Sequence, residues 1–296
     1  SKKMYPIESV YPEFKPISFY PINSHLLIDD SVIILGTEND KGILVWDFKR
    51  HSLKKIEQNT KKIALSSSIV NNIYQDHKKN IWILSDYSIS VLSKNFNVVK
   101  KDIFSFKNLR QPLDLFFDMC EVKNNYWITS YGNGIMEIDS NYHIKRIISS
   151  KDGLSNDGVY NIFNVGDSEL VITTNNGSSV FDIRKQKFKN YYKEDGLHSN
   201  AFEEVAATYH NGKIYAGGLN GFTIIDPSKF TTNTTPPTFY FTNIKTKTTD
   251  SAELDTSNLE IKQLEIPKNW QIACQLPIKG NTIFAKDFDE LADSPF

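Results

Sequence analysis

Short hydrophobic runs return along this chain at a nearly fixed distance, and that spacing limits what it can fold into. Runs centred on Ile33, Trp82, Trp127, Val171 and Tyr215 lie 49, 45, 44 and 44 residues apart. Each is followed by a turn and a second run: residues 42–46, 89–92, 134–138, 177–182 and 221–226. Most units offer a run before the anchor, as in residues 69–75 and 159–165, and a weaker one after it, as in 142–148 and 188–192. The runs are short, rich in β-branched and aromatic residues, and punctuated by Asn-Gly and Asp-Gly turns, so they read as strands. No stretch keeps a 3.6-residue amphipathic period over an ordinary helix length.

Four short strands in about 45 residues is the spacing of a β-propeller blade. One such meander has two apolar faces and cannot hide both alone; radial stacking of successive meanders covers them. The expected fold is therefore all-β, with blades of four antiparallel strands. About five units are visible, either as a small ring or as part of a larger one. Residues 1–18 form an N-terminal segment, in which residues 5–14 could supply a strand to the closing blade. The blades occupy 19–230, residues 231–237 (Thr-Thr-Asn-Thr-Thr-Pro-Pro) are a linker, and 238–296 are a partial or atypical β-rich segment.

Charge excludes some functions. The chain carries 34 basic and 35 acidic residues, a net charge of -1, which gives no footprint for nucleic acid or an anionic membrane. Its two cysteines, Cys120 and Cys274, suggest neither a metal clamp nor a disulfide framework. No apolar run approaches the roughly 18 residues that span a bilayer. This segment is therefore expected to make no membrane contact of its own.

Several units resemble those of the two-component regulator propellers, the periplasmic sensor regions of Bacteroides-type hybrid histidine kinases. The resemblance rests on residues 68–76 (Ser-Ile-Val-Asn-Asn-Ile-Tyr-Gln-Asp) followed by 80–84 (Asn-Ile-Trp-Ile-Leu). It rests also on Asp152-Gly-Leu-Ser-Asn156 with Asn175-Asn-Gly177, and on Asp195-Gly-Leu-His-Ser-Asn200 with residues 217–222 and Asp226-Pro227. It implies an extracytoplasmic, periplasmic sensor whose signal peptide and membrane helix lie outside this chain, and a homodimer or companion propeller as partner. Residues 264–276 and 285–295 resemble instead the N-terminal β-domain of M61 aminopeptidases. The His-Glu-x-x-His zinc motif of such enzymes is absent from the chain, and no peptidase activity is assigned.

No catalytic constellation stands out. The six histidines form no i, i+4 pair around a glutamate. The glycines at 212, 217, 218 and 221 lack the following helix that makes a phosphate cradle. No cofactor and no metal is expected. Asp76, Asp139, Asp182 and Asp226 recur at strand ends, where a carboxylate accepts backbone hydrogen bonds from the turn. Trp82, Trp127 and Tyr215 hold the same place in each unit, as packing between blades requires. Glu203-Glu204 opens an inner strand, which can face a central channel.

The loops are the better candidates. Blade-to-blade connections and the turns between second and third strands emerge on one face. They carry Ser67, Ser68, Asn71, residues 152–156 and 195–200, and the candidate ligand-binding residues Tyr87, Tyr131, Asn156, Asn175, Asn176, Asn200 and Asn220. Amide, hydroxyl and phenol groups suit a polyhydroxyl ligand, although Asn and Asp also simply form turns. The expected function is a non-enzymatic sensor domain of a two-component signalling protein that recognises a glycan-derived oligosaccharide. A propeller glycan lyase or hydrolase and a protein-interaction scaffold are the alternatives.

Overall fold

The computed structural model describes residues 3–38, 41–57, 65, 67–101, 103 and 115–230, together with the backbone of two later strands. The chain divides into two compact units, Ser1–Lys229 and Phe230–Phe296. In the second unit, Gln271–Ile278 and Asn281–Lys286 form an antiparallel pair. The expected linker at 231–237 and the strand at 238–244 lie outside the described residues.

The first unit is a succession of five antiparallel sheets, the blades of a β-propeller. Blade 1 consists of β1 (Ile22–Ile28), β2 (Val32–Thr37), β3 (Ile43–Asp47) and β4 (Ser52–Ile56). Blade 2 has β5 (Val70–Gln75), β6 (Ile81–Ser85), β7 (Ser88–Leu92) and β8 (Val98–Lys100). Blade 3 has β9 (Phe116–Val122), β10 (Asn125–Ser130), β11 (Gly134–Ile138) and β12 (Ile144–Ile148). Blade 4 has β13 (Val159–Val165), β14 (Glu169–Thr174), β15 (Ser178–Asp182) and β16 (Lys187–Tyr191). Among the described residues blade 5 has β17 (Phe202–His210), β18 (Lys213–Gly218) and β19 (Gly221–Ile225). The innermost strands meet in order: β1 packs on β5, β5 on β9, β9 on β13 and β13 on β17.

Strand alternation gives every blade a forward face, toward the next blade, and a back face. Trp82 and Leu84 of β6 join Phe116, Met119, Tyr126 and Met136 of blade 3 in one buried cluster. One blade on, Trp127 and Ile135 join Ile162, Leu170, Ile172 and Phe181 of blade 4. The anchors Trp82, Trp127 and Val171 are fully buried, whereas Tyr215 is only half-buried. In blade 1 the residue that faces blade 2 is Ile34, packed with Ile73, Ile81 and Ile83, and not the run's centre at Ile33. Counting back three residues from the last residue of each second strand gives Ile34, Trp82, Trp127, Val171 and Tyr215 as equivalents. A one-residue change of register reverses the face, so Ile33 points to the back of the blade.

That back face is covered by the N-terminal segment. The strand expected there is not formed; Ile7–Val10 makes one helical turn and Pro12–Ile17 a 3-10 helix. Pro12 and Pro16 have no N–H to offer a ladder, which disfavours a strand. Instead Phe14 and Ile17 bury themselves against Leu44 and Trp46. The Phe14 and Trp46 rings meet edge to face with centroids 4.9 Å apart.

The strand-end aspartates serve as turn acceptors. Asp139 accepts the backbone N–H groups of Asn141 and His143 at 2.8 and 2.9 Å, and Asp182 those of Arg184 and Lys185, both at 2.9 Å. These hydrogen bonds hold both carboxyls below the usual carboxylate range.

Candidate site at the axial mouth

The inner strands share a local pattern: an apolar residue, a residue that bulges out of the ladder, a polar residue, then a hydrophobic one. It reads Val70-Asn71-Asn72-Ile73, Phe116-Phe117-Asp118-Met119, Val159-Tyr160-Asn161-Ile162 and Phe202-Glu203-Glu204-Val205. The pairing with the second strand slips here in all four blades. A bulge leaves a residue unpaired and re-aims its side chain.

The polar residue after the bulge clips one blade to the next. The Asn72 side-chain amide donates to the Phe117 carbonyl at 2.9 Å and to the Asp118 carboxylate at 3.1 Å. Asp118 accepts the Ile162 N–H at 3.0 Å, and Asn161 donates to the Glu203 carbonyl at 3.3 Å. Asp118 keeps some accessible surface, but its carboxyl is enclosed by three inner strands. Burial pushes it up to about 7 against the opposing pull of its Ile162, Met119 and Asn72 hydrogen bonds.

Two bulged residues, Phe117 and Tyr160, join Tyr131 in an aromatic row that runs from the buried Phe117 ring to Tyr131 at the mouth of the axis. Phe117 and Tyr160 have ring centroids 5.7 Å apart, and Tyr160 and Tyr131 5.8 Å apart. Burial, followed by Tyr131, Glu203 and Glu204, pushes the Tyr160 hydroxyl up to about 12, so it stays a neutral hydrogen-bonding group. Carboxylates border the row. Asn71 donates to Asp86 at 2.9 Å. Glu204 is raised above the usual carboxylate value by burial first, then by Glu203, Asp86 and Glu38. Acids from blades 1, 2 and 5 thus act together on Glu204.

Among the residues expected from sequence, Tyr131, Asn156 and Asn175 come together. They close around Gly158, where an added Cβ would lie 3.1 Å from the Tyr131 ring, 3.1 Å from Asn156 Oδ1 and 3.4 Å from Asn175. The Asn156 oxygen is engaged by the Gly158 N–H at 2.8 Å, and Asn200 likewise accepts the Lys193 N–H at 2.6 Å, both as turn-formers. Tyr87, Asn176 and Asn220 are exposed on separate turns. Phe117 and Tyr160 escape a reading of loops because they lie inside strands. The recurring apolar–x–polar–hydrophobic pattern is the signal that marks them.

Other groups are chemically quiet. Cys120 is a buried free thiol, and burial raises it well above its ordinary value, which disfavours the nucleophilic thiolate. Among the described residues no group of three or more His, Cys, Asp or Glu side chains could hold a metal ion. No helix among them is long and apolar enough to cross a membrane.

The fold and this mouth place the chain among β-propellers that carry a polar, aromatic axial opening. It is similar to the extracellular domain of a hybrid two-component system from B. thetaiotaomicron, with 15% identity and a TM-score of 0.57 over 72% of this chain. The chain spans 30% of that structure's length. It is similar also to U3-55K, at 13% identity and TM-score 0.57, covering 71% of this chain and 62% of that one. Virginiamycin B lyase from Staphylococcus aureus matches at 16% identity and TM-score 0.51, covering 70% of each chain. The Peptidase M61 N-terminal domain family matches residues 199–296, a span that takes in the strands of blade 5. A comparison with curated protein sequences finds no match. A fold shared by proteins with such different names fixes architecture, and function has to be argued from the site.

Proposed function

We propose that the chain is the extracytoplasmic ligand-sensing part of a two-component signalling protein, and that a glycan-derived oligosaccharide binds at the axial mouth. The observation that carries this reading is the Tyr160–Tyr131 pair, backed by the buried Phe117 ring and bordered by Asn71, Asp86, Glu203 and Glu204. Ring faces match the apolar C–H faces of a sugar, and carboxylates, amides and phenols supply acceptors and donors for its hydroxyls. The repeat resemblance to periplasmic sensor propellers, and the fold shared with a two-component extracellular domain, support the signalling context. In this reading the ligand binds two arrangements of paired propellers unequally and shifts the balance between them.

A second reading, a propeller lyase, is favoured by one feature: Glu204, raised by burial and then by its acidic neighbours, is also among the groups that raise the Tyr160 hydroxyl. An acid–base pair of that sort could move a proton at a sugar carbon. Calorimetric titration with a panel of plant, host and microbial oligosaccharides, run beside a product assay, separates the two. Saturable heat without turnover supports the sensor; product formation supports the lyase; no heat across the panel overturns both.

A further inference from the structure

Four Asn-Gly pairs occur among the described residues, at 133–134, 176–177, 211–212 and 220–221. In such a pair the glycine nitrogen can attack the asparagine side-chain carbonyl carbon, because glycine has no Cβ to block the approach. The propeller surrounds the four pairs differently.

Asn133 is buried, and the Gly134 N–H donates to the Asp157 carbonyl at 3.1 Å. The Gly177 N–H donates to the Asn200 carbonyl at 2.7 Å. Each of these nitrogens is tied to the connection that leads into the next blade. Asn211 and Gly212, between β17 and β18, have φ of 48° and 75°. That is the left-handed pair of a two-residue hairpin turn. Closing a ring there would break the turn.

Asn220 and Gly221 are exposed in the turn between β18 and β19. Gly218, which closes this turn with Gly221, also pairs with Phe202, so the turn lies at the mouth end of blade 5. His198 lies against it. An added Cβ at Gly221 would meet the His198 Nε2 at 2.6 Å, and the His198 N–H is held by the Thr223 hydroxyl at 3.0 Å. The His198 Nε2 is hydrogen-bonded to the Asn220 carbonyl oxygen. A carbonyl oxygen only accepts, so Nε2 is the donor. This carbonyl shares its peptide group with the Gly221 nitrogen. Charge drawn onto the oxygen makes the Gly221 N–H more acidic and the nitrogen easier to deprotonate.

We propose that Asn220 is a self-modifying site, and that His198 speeds the reaction through the Asn220 carbonyl. The Gly221 nitrogen bonds to Asn220 Cγ, the Cγ–Nδ2 bond breaks, and the side-chain nitrogen leaves as ammonia, the Gly221 proton supplying its third hydrogen through solvent. Water then opens the succinimide to aspartate or isoaspartate. Either product adds a negative charge on the mouth side of blade 5, and isoaspartate lengthens the backbone of the turn.

The test is incubation of the whole chain in heavy-oxygen water at neutral pH, followed by peptide mapping. Label should enter at Asn220 first, at Asn211 more slowly, and at Asn133 and Asn176 last. His198→Phe should slow labelling of Asn220 about fivefold, the loss of one hydrogen bond, and leave Asn211 unchanged. His198→Gln, whose amide can still donate to the carbonyl, should restore most of the rate. In urea the four sites should label at similar rates. Asn220 no faster than Asn211 in the folded chain, an equal Asn220 rate in His198→Phe, or a ranking that persists in urea overturns the proposal.

Discussion

The indole N–H of Trp82 donates to the carboxylate of Asp76 at 3.0 Å, and the Tyr126 hydroxyl of the next blade donates to the same oxygen at 3.0 Å. Asp76 is 2% exposed and also accepts the Asn80 N–H at 2.7 Å. One buried carboxylate therefore closes the turn of its own blade and fixes the aromatic packing of the seam, where the Trp82 and Tyr126 rings lie 4.3 Å apart. Asp76→Ala leaves four donors without their acceptor, the Trp82 and Tyr126 donors among them buried, and should cost about 3 kcal/mol in urea unfolding. Tyr126→Phe, which removes one donor and leaves the ring, should cost about 1 kcal/mol. The double variant should cost less than the sum, because both changes break the same hydrogen bond.

Equivalent anchors differ in what covers them, and stability should follow. Trp127 is sealed between blades 3 and 4, its ring tilted 59° against Phe181 with centroids 5.8 Å apart. Trp127→Ala should cost about 3–5 kcal/mol. Tyr215 has the same position in blade 5 but a half-exposed side chain, so Tyr215→Ala should cost about 1 kcal/mol or less. Matched thermal and urea unfolding of the two variants checks the ranking.

Asp118 should give the propeller a distinctive pH response. Its folded value of about 7 lies above the ordinary 3.8, so between about pH 4 and 7 the folded chain holds a proton that the unfolded chain has lost. Stability should therefore fall as pH rises through that window, by at most about 1.4 kcal/mol per pH unit from this group, and level off above it. The turn aspartates Asp139, Asp182 and Asp226 are held low, and they affect stability only on further acidification. Urea midpoints from pH 4 to 8 for the natural protein and Asp118→Asn test this. The variant should lose the downward slope.

The blades were legible because burial forces the same alternation on every unit, whatever its exact residues. The sequence centres the first run on Ile33, while the structural equivalent of the other anchors is Ile34; the two are chemically alike, and only contact with Ile73 and Ile83 tells their faces apart. Residues 5–14 carry aromatic and aliphatic residues that suit a strand, but their prolines favour helical turns, and the covering of Trp46 decides the outcome. At the site, Tyr131, Asn156 and Asn175 could be read as turn residues of one face. Phe117 and Tyr160 could not, because periodicity marks both as ordinary strand residues until the bulge re-aims them.

The most direct test of the account is calorimetric binding of the tightest oligosaccharide to Tyr131→Ala beside Asn176→Ala and Asn220→Ala. Tyr131 is 41% exposed at the end of the aromatic row, so its loss should leave the fold intact. The account predicts that Tyr131→Ala weakens binding by about tenfold or more while the two asparagine variants stay within about twofold of the natural protein. Unchanged affinity in Tyr131→Ala, with the loss falling on Asn176 or Asn220, would contradict recognition at the axial mouth.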